Sequence, residues 1–400
     1  MKIGRIAIVT RCLIALTLAV SVSAYSTQNS DEASLSELST LVKTLYRQNP
    51  SGAFDLARLA HKWAVPDPEK TLRPGDILLF PQSAHGLKAP TAYRAALEGL
   101  THASIVARDP DGKLFHLDAP FDPAPDAYNL KGQDAYFILR PKLPPGTNLS
   151  DFYQRVNRTA QYLVWNSYPY DASMQPTFLD PANMEKLRKA ILLTPWSDPH
   201  SRVKIPGQYC SGLTQTVEKL GGAGLAKSVS MNHLLDLALA NIERESGKKH
   251  LDANERKDLA NHAVDELIDM YSSFPRQALA GLNKRLSVGI QDPQEAQWTK
   301  TAIKSEEEQL RKFQWAKGLI KMILAAKLNG ANEQTPFFGK FLGQKVVRPI
   351  DIFNEATRGD GNYSLIGYYP GRLEDAIPAV TNGREHSKEP AREVASNTTH

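Results

Sequence analysis

Apolar residues between positions 31 and 64 recur at helical spacing. The first group is Leu35, Leu38, Leu41, Val42 and Leu45. Residues 50–52 (Pro-Ser-Gly) interrupt the pattern, and a second group extends from Phe54 to Trp63. A three- or four-residue apolar period is typical of a helix that buries one face, and the proline and glycine indicate a break. The sequence therefore predicts a helical hairpin that packs against the chain that follows.

The pattern changes at residue 71 to short apolar runs separated by turns. A Pro-Gly turn at 74–75 precedes the run 77–80, and a Pro-Asp-Gly turn at 110–112 joins the runs 101–107 and 113–120. Runs of this length around such turns are typical of β-strands, and the second pair predicts a β-hairpin. A further strand is predicted at 136–139, ended by Arg140 and Pro141, and a helix from 148 to about 165.

Residues 226–340 return to helical spacing. Helices are predicted at 231–242, at 254–271 and from Pro293 to Leu328. The last has the clearest start, because Asp292 supplies an N-cap, Pro293 suits the first helical position and Glu295 can complete a capping box. Its basic residues fall towards its C-terminal end, where the helix dipole favours them.

The third of these helices carries an apolar stripe. The stripe consists of Phe313, Leu319, Ile320, Ile323 and Leu324. One interpretation is a lid, or a surface that contacts a membrane or a partner protein. The other is a structural insertion whose stripe packs against the core, as in any packed surface helix, and the sequence favours this second interpretation.

The N-terminus resembles a secretory signal peptide over residues 1–24. Basic residues at 2, 5 and 11 precede an apolar run from Cys12 to Val22, and Val22-Ser23-Ala24 provides a small-residue cleavage site. An uncleaved anchor is the alternative, although the apolar run is short for a membrane span. We expect an exported protein, in a bacterial periplasm or beyond, whose Cys12 is removed with the signal. Residues 379–400 are polar and charged, and we expect them to be disordered.

The overall charge argues against a nucleic-acid partner. The net charge of +5 includes three basic residues of the predicted signal, and subtracting them leaves +2 for the mature chain. No His-Glu-x-x-His zinc motif, Gly-rich phosphate loop or Gly-x-Ser-x-Gly elbow occurs, so the sequence predicts no metal or other cofactor.

Cys210 would be the only cysteine of the mature chain. Pro206 and Gly207 precede it, and apolar residues at 213, 217 and 220 predict a helix that starts beside it and ends at Gly221-Gly222. A thiol at a helix N-terminus is biased towards the reactive thiolate by the backbone N–H groups and the helix dipole. The alternative is a small buried hydrophobic residue, and only a suitably placed histidine favours catalysis over it.

The predicted β-hairpin supplies histidines. His102 begins its first strand, and His116 and Asp118 share one face of its second strand because strand side chains alternate. Two histidines on neighbouring strands are often only hydrogen-bonding residues of a sheet. Together with one cysteine at a helix start, they indicate a cysteine–histidine nucleophilic site.

These segments together resemble the circularly permuted NlpC-type cysteine hydrolases of the papain-like superfamily. The branches most similar are the YiiX-like bacterial proteins and the lecithin retinol acyltransferase-like proteins. The matching segments are 73–78 (RPGDIL), 101–106 (THASIV), 114–120 (LFHLDAP), 208–211 (QYCS), 346–353 (VVRPIDIF) and 363–368 (YSLIGY). The histidine precedes the cysteine, which is the permuted order. Residues 226–340 depart from the compact proteins of this family.

The resemblance implies an α+β fold in which an antiparallel sheet packs on the helix that carries the nucleophile. It implies Cys210 as the nucleophile and His102 as the general base. The acyltransferase-like pattern places a histidine where His116 stands, and the YiiX-like pattern places an acid near Asp118. We expect His116 to orient His102, with Asp118 as the alternative, and Tyr209 to assist the oxyanion together with the backbone N–H of Cys210.

The predicted organisation follows from these elements. A helical segment at 25–66 precedes a catalytic domain at 67–225, which is completed by 341–378, and the insertion occupies 226–340. The expected activity is cysteine-dependent hydrolysis of an amide, with a peptide bond of cell-wall peptidoglycan as the first expectation. Hydrolysis or transfer of a lipid or ester acyl group is the second, and a catalytically idle binding module that uses the insertion is the third. The sequence leaves the oligomeric state open.

Overall fold

The computed structural model describes most of the chain between residues 35 and 371. The described residues are 35–43, 60–81, 96–118, 130–131, 135–166, 180–193, 209–248, 250–359 and 361–371. The predicted signal peptide, the first half of the second N-terminal helix and the predicted disordered tail lie outside them. Among the described helices, none is long and apolar enough to cross a membrane.

A five-stranded antiparallel sheet forms the centre of the fold, which is of the α+β class. Its strands are β1 (Ile77–Phe80), β2 (His102–Arg108), β3 (Leu114–Asp118), β4 (Tyr136–Pro141) and β7 (Tyr363–Tyr369). Their spatial order is β3-β2-β1-β4-β7. A second, two-stranded sheet pairs β5 (Val229–Ser230) with β6 (Lys345–Val346). The predicted strands and the hairpin are confirmed, and β4 extends through Arg140 and Pro141, where the sequence predicted its end.

The strand β1 is buried on both faces. Ile77 and Leu79 belong to the core under the helices, and Leu78 and Phe80 belong to a cluster on the opposite face with Tyr136. A strand covered on both sides has no polar face, which explains its uninterrupted apolar sequence.

The turn before β1 depends on Gly75 and Asp76. Gly75 has a φ of 89°, and a Cβ at this position would lie 2.6 Å from the ring of Phe152, so a side chain is excluded both by conformation and by space. The carboxylate of Asp76 accepts 2.8 Å hydrogen bonds from Nε and Nη2 of Arg140 and from the backbone N–H of Arg73. The RPGDIL segment therefore fixes β1 against β4.

Helices cover the sheet face that carries Ile77 and Leu79. The helices of this region are α1 (35–43), α2 (Pro68–Thr71), α3 (Leu149–Asn166), α4 (Pro181–Leu193), α5 (Cys210–Gly221) and, after the insertion, α10 (Pro349–Thr357). In α1, Leu38 and Val42 are fully buried in the same core as Ile77, so the described part of the predicted N-terminal hairpin packs as expected. His61–Trp63 forms a 3-10 turn, and the backbone N–H of Val65 donates to the carbonyl of Tyr368 beside β7.

The insertion is helical, as predicted. Its helices are α6 (Met231–Glu245), α7 (Ala253–Val288), α8 (Pro293–Leu328) and the short α9 (Gly339–Leu342). The bounds of α8 match the prediction, and Asp292 caps it by accepting from the backbone N–H of Gln294. Glu295 forms an ion pair with Arg285 of α7, with 2.5 Å between the charged groups.

The predicted end of α7 at residue 271 is wrong, because the helix continues through Pro275 to Val288. A proline inside a helix removes one backbone hydrogen bond and costs about 3 kcal/mol. Packing on α8 offsets this cost. Ser272 and Ser273 also bond back through their hydroxyls to the carbonyls of Asp269 and Met270, in the turn that precedes the proline.

The apolar stripe of α8 mostly packs within the insertion. Phe313 and Leu324 are buried in a separate cluster with Val264 and Ile268 of α7 and Leu239 of α6. Asp265 of α7 pairs with Lys317 and Lys321 of α8 across the same interface. The stripe is therefore packed, as the structural interpretation expects, but in a cluster of the insertion itself and not in the core around the sheet.

Candidate active site

Cys210 is the first residue of α5, as the sequence predicted. Tyr209 is the N-cap residue and adds no side-chain cap, and the first turn contains no acidic residue. At the other end, Gly222 adopts a left-handed conformation with a φ of 95° and closes the helix with hydrogen bonds to the carbonyls of Glu218 and Lys219. The thiol is free and half-buried, and it lies where unpaired N–H groups of the helix favour a negative charge.

The structure brings His102 to Cys210. His102 is the first residue of β2, the strand on which α5 packs, and its imidazole lies close enough to the Cys210 side chain for each group to shift the pKa of the other. On its other side, Nε2 of His102 lies 2.9 Å from Oδ1 of Asp118. The pairing of Ser104 with Asp118 in the β2–β3 ladder places the carboxylate at the end of β3, next to the start of β2.

His116 reaches the same carboxylate from the other side. Its Nδ1 lies 3.0 Å from Oδ2 of Asp118, while Oδ1 of the same carboxylate contacts Nε2 of His102. The four side chains therefore form a continuous series: Cys210, His102, Asp118, His116. The predicted common face of His116 and Asp118 is confirmed. In this geometry Asp118 is the direct partner of His102, and His116 acts on His102 only through Asp118.

The electrostatics of His102 favour the imidazolium. Burial alone would lower its pKa, but the adjacent Asp118 carboxylate, by charge and by hydrogen bonding, raises the pKa of His102 to about 10. Burial would likewise raise the pKa of Asp118, but the two neighbouring imidazoles hold the pKa of this carboxyl far below its ordinary value. Asp118 is therefore a fixed anion across the physiological range.

The pKa of the Cys210 thiol is lowered. Burial opposes ionisation of the thiol and would raise its pKa, but the hydrogen bond and positive charge of His102 outweigh burial. The backbone N–H groups of Ala103 and Ser211 also hydrogen-bond to the sulfur and lower the pKa further. The arrangement favours a thiolate–imidazolium pair, which is the reactive state of a cysteine nucleophile.

Phe80 packs against both histidines. Its ring centroid lies 5.4 Å from that of His102 and 6.5 Å from that of His116. The register of β1 and β2 pairs Phe80 directly with His102, so the ring covers one side of the ion pair and limits its access to water. The sequence analysis did not identify Phe80. Its position at the end of the predicted strand, opposite the start of the next, was the available signal.

The segment around Val347 fixes the start of α5. The Ser211 hydroxyl donates a 2.6 Å hydrogen bond to the carbonyl of Val347, and the backbone N–H of Val347 donates to the Tyr209 hydroxyl at 3.3 Å. Tyr209 is buried and its ring lies against the backbone of Gly212. These contacts give Tyr209 a positioning role, and its assistance to an oxyanion stays a prediction.

A buried polar network anchors α5 to β7. The Gln215 amide donates to Glu218 at 3.0 Å and to the Tyr363 hydroxyl at 2.8 Å, and its carbonyl accepts from the backbone N–H of Ala226 at 2.8 Å. The Tyr363 hydroxyl also donates to Glu218. Burial raises the pKa of Glu218 well above its ordinary value, so this carboxyl resists ionisation more than an exposed glutamate does. The sequence analysis missed this network, because polar residues on a predicted helix do not reveal burial.

Comparisons with known proteins found no match to a family model, a curated protein or a solved structure. Within the described part of the chain, no group of three or more His, Cys, Asp or Glu side chains is arranged to hold a metal ion.

Proposed function

We propose that this protein is a cysteine hydrolase that cleaves an amide by acyl transfer through Cys210. One observation carries the proposal: at a helix N-terminus the Cys210 side chain lies beside the His102 imidazole, whose Nε2 is 2.9 Å from Oδ1 of Asp118. Nucleophile, base and orienting group in this order are the minimum set for such chemistry.

Each group has a defined task in the proposed reaction. The Cys210 thiolate attacks the carbonyl carbon, and protonated His102 donates its proton to the departing amine as the C–N bond breaks, which leaves a thioester. His102 then removes a proton from water, the hydroxide attacks the thioester, and the acid and the thiolate are released. Asp118 keeps the imidazole oriented throughout and stabilises its charged form.

The proposed substrate is a peptide bond of cell-wall peptidoglycan. Its support is the resemblance of the six short segments to permuted NlpC-type hydrolases, and we include that permuted papain-like arrangement in the proposal. Export to the periplasm is part of it as well, and the signal-like pattern of residues 1–24 supports it.

A lipid or ester acyl group is the second candidate substrate. One observation favours it. Three phenylalanines at 337, 338 and 341 form a cluster just before β6, and β6 leads into Val347, whose carbonyl accepts the hydrogen bond of Ser211 beside Cys210. An apolar surface on the segment that leads to the start of α5 suits a substrate that is drawn from a lipid phase.

The first test is the pH dependence of Cys210 alkylation by iodoacetamide. In the wild type, we expect the reaction to titrate with an apparent pKa below that of an ordinary thiol, because His102 stabilises the thiolate. In His102→Ala the apparent pKa should rise, because burial then acts without the compensating charge. His233→Ala, which changes a histidine on α6, is the matched control and should leave the profile unchanged.

Turnover is then measured on peptidoglycan fragments and on phospholipids, with Cys210→Ser as the inactive reference. Release of a new amine from the fragments supports the amide hydrolase, and release of fatty acid supports the second candidate. An ordinary thiol pKa that does not respond to His102→Ala contradicts both. It would favour the third possibility, a binding module without catalysis.

A further inference from the structure

Phe337, Phe338 and Phe341 form an exposed aromatic cluster between α8 and β6. The ring centroids of Phe337 and Phe338 lie 5.1 Å apart, and those of Phe337 and Phe341 lie 5.9 Å apart. Phe337 is 68% exposed, and the other two are half-buried. Single exposed apolar residues are common on soluble proteins, but three contiguous aromatic rings around a largely exposed one are not.

The backbone holds Phe337 in this exposed position at a cost. Its φ is 66°, in the left-handed region, and the backbone N–H of Phe338 bonds to the carbonyl of Pro336 at 2.8 Å. This bond closes a γ-turn of the rare, strained kind with Phe337 at its centre. A strained backbone persists only where the surroundings enforce it, and such positions concentrate at functional surfaces.

Neighbouring contacts fix the turn rigidly. The backbone N–H of Gly339 donates to the carbonyl of Thr335 at 2.7 Å, and the N–H of Leu342 donates to the carbonyl of Phe338 at 2.9 Å. Leu342 itself is fully buried, so it anchors α9 below the cluster. The backbone that carries the aromatic rings is therefore already ordered, so binding of another surface over the rings costs little conformational entropy.

The charged residues near the cluster indicate the kind of surface that binds to it. Lys340 and Lys345 are exposed and flank Phe341 in the sequence. The exposed Glu333 lies beside Gly339 and Gly343, so the segment 333–347 carries two lysines against one acid, a net charge of 2 − 1 = +1. Aromatic rings with flanking lysines form the composition that enters the headgroup region of a bilayer, where the rings reach the acyl boundary and the ammonium groups contact anionic phosphates.

The cluster is also connected to the candidate active site. Phe341 and Val347 are six residues apart, a distance of at most about 22 Å along an extended chain. Val347 contacts both Tyr209 and Ser211 beside Cys210. The segment that carries the cluster therefore continues directly into the residue that fixes the start of α5.

We propose that Phe337, Phe338 and Phe341, together with Lys340 and Lys345, are a docking surface for an anionic phospholipid bilayer. This surface attaches the protein peripherally, by interfacial insertion of the phenylalanine rings and by attraction of the two lysines to lipid phosphates. It does not depend on the chemistry proposed for Cys210.

The test is flotation of the mature protein with vesicles of phosphatidylcholine and phosphatidylglycerol. We expect the wild type to float with these vesicles and to bind phosphatidylcholine vesicles less. Phe337→Gly should weaken the partition of the protein onto the vesicles at least about tenfold, because the ring that inserts into the bilayer is lost. Glycine accepts the positive φ without strain, so this variant should unfold at a higher urea concentration than the wild type. Lost binding in a more stable protein cannot be attributed to misfolding.

Three further variants complete the test. Lys340→Glu should weaken binding to the anionic vesicles and leave binding to phosphatidylcholine unchanged. Val288→Ser alters an apolar side chain that is 79% exposed at the end of α7 and should bind as the wild type does. Cys210→Ser should also bind normally, which separates this proposal from the proposed function.

Two results would overturn the docking surface. One is a wild type that does not float, or a Phe337→Gly variant that floats equally well. The other is a concentration-dependent dimer in sedimentation velocity that Phe337→Gly abolishes, which would assign the cluster to an interface between two copies of this chain.

Discussion

The two oxygens of the Asp118 carboxylate contact different imidazoles, and this division predicts unequal effects of mutation. Asp118→Asn removes the charge that raises the pKa of His102 to about 10, so the imidazolium and the Cys210 thiolate both lose stabilisation. We expect alkylation of Cys210 near neutral pH to slow by at least about tenfold, the equivalent of one pKa unit. His116→Gln should have a smaller effect, since His116 contacts the carboxylate and not the imidazole.

Asp111→Asn, in the exposed turn between β2 and β3, controls for the loss of one negative charge on the same hairpin. Alkylation rates of Cys210 in all three variants over a range of pH show whether Asp118 or His116 has the larger effect. If His116→Gln were as damaging as Asp118→Asn, His116 would regain the orienting role that the sequence analysis first assigned to it.

At the residue scale, the sequence placed Cys210 and His102 at the starts of a helix and a strand, but it did not show which atoms of His102, His116 and Asp118 contact each other. Cys210 and His102 could be predicted because a helix start and a strand start are marked by nearby glycine, proline and apolar spacing. The roles of His116 and Asp118 could not be separated, because the two-residue period of a strand directs both to the same face. Only the distances between atoms distinguish a direct partner of His102 from an indirect one.

At the scale of elements, Glu218 makes the anchoring of α5 to β7 dependent on pH. Its pKa is raised by burial in the folded state, so the unfolded chain ionises first as the pH increases. Stability from this group is fully present below the ordinary pKa and is lost as the pH rises towards the folded pKa. Glu218→Gln replaces the carboxyl by an amide that does not ionise, so the variant does not lose stability in this way as the pH rises. Its free energy of unfolding relative to the wild type should increase with pH, by at most about 1.4 kcal/mol per pH unit.

Urea unfolding over a series of pH values from about 4 upwards measures this difference, which begins to grow above the ordinary pKa of glutamate. Glu185→Gln, an exposed glutamate of α4, is the control and should show no such trend. A Glu218→Gln difference that does not vary with pH would mean that Glu218 is ionised in the folded protein.

Element boundaries were predictable where capping residues mark them and not where packing overrides them. Asp292 and Pro293 located the start of α8, and Gly222 located the end of α5. The end of α7 was wrong because Pro275 is a strong local signal against a helix, and only the packing against α8 explains its tolerance. The strand order β3-β2-β1-β4-β7 likewise depends on long-range pairing, which a period along the chain does not encode.

At the scale of the whole molecule, the pair of helices α7 and α8 has a core of its own. Each has 36 residues and a length of about 54 Å, and their shared cluster is separate from the three clusters that surround the sheet. The links to the rest of the fold run mainly through α6, where Lys327 of α8 pairs with Asp236 at 2.6 Å and donates to Asn232 at 2.7 Å. This separation predicts that the insertion can unfold locally while the sheet stays folded.

Ile268→Ala tests this independence. The side chain is 1% exposed in the centre of the α7–α8 core, so its truncation should cost about 2–5 kcal/mol there. We expect hydrogen exchange of the α7 and α8 amides to accelerate while exchange in β1–β4 and alkylation of Cys210 stay unchanged. Ile138→Ala, in the middle of β4, is the control and should accelerate exchange in the sheet. Equal acceleration in the sheet by Ile268→Ala would mean that insertion and sheet unfold as one unit, and that the helices support the active site directly.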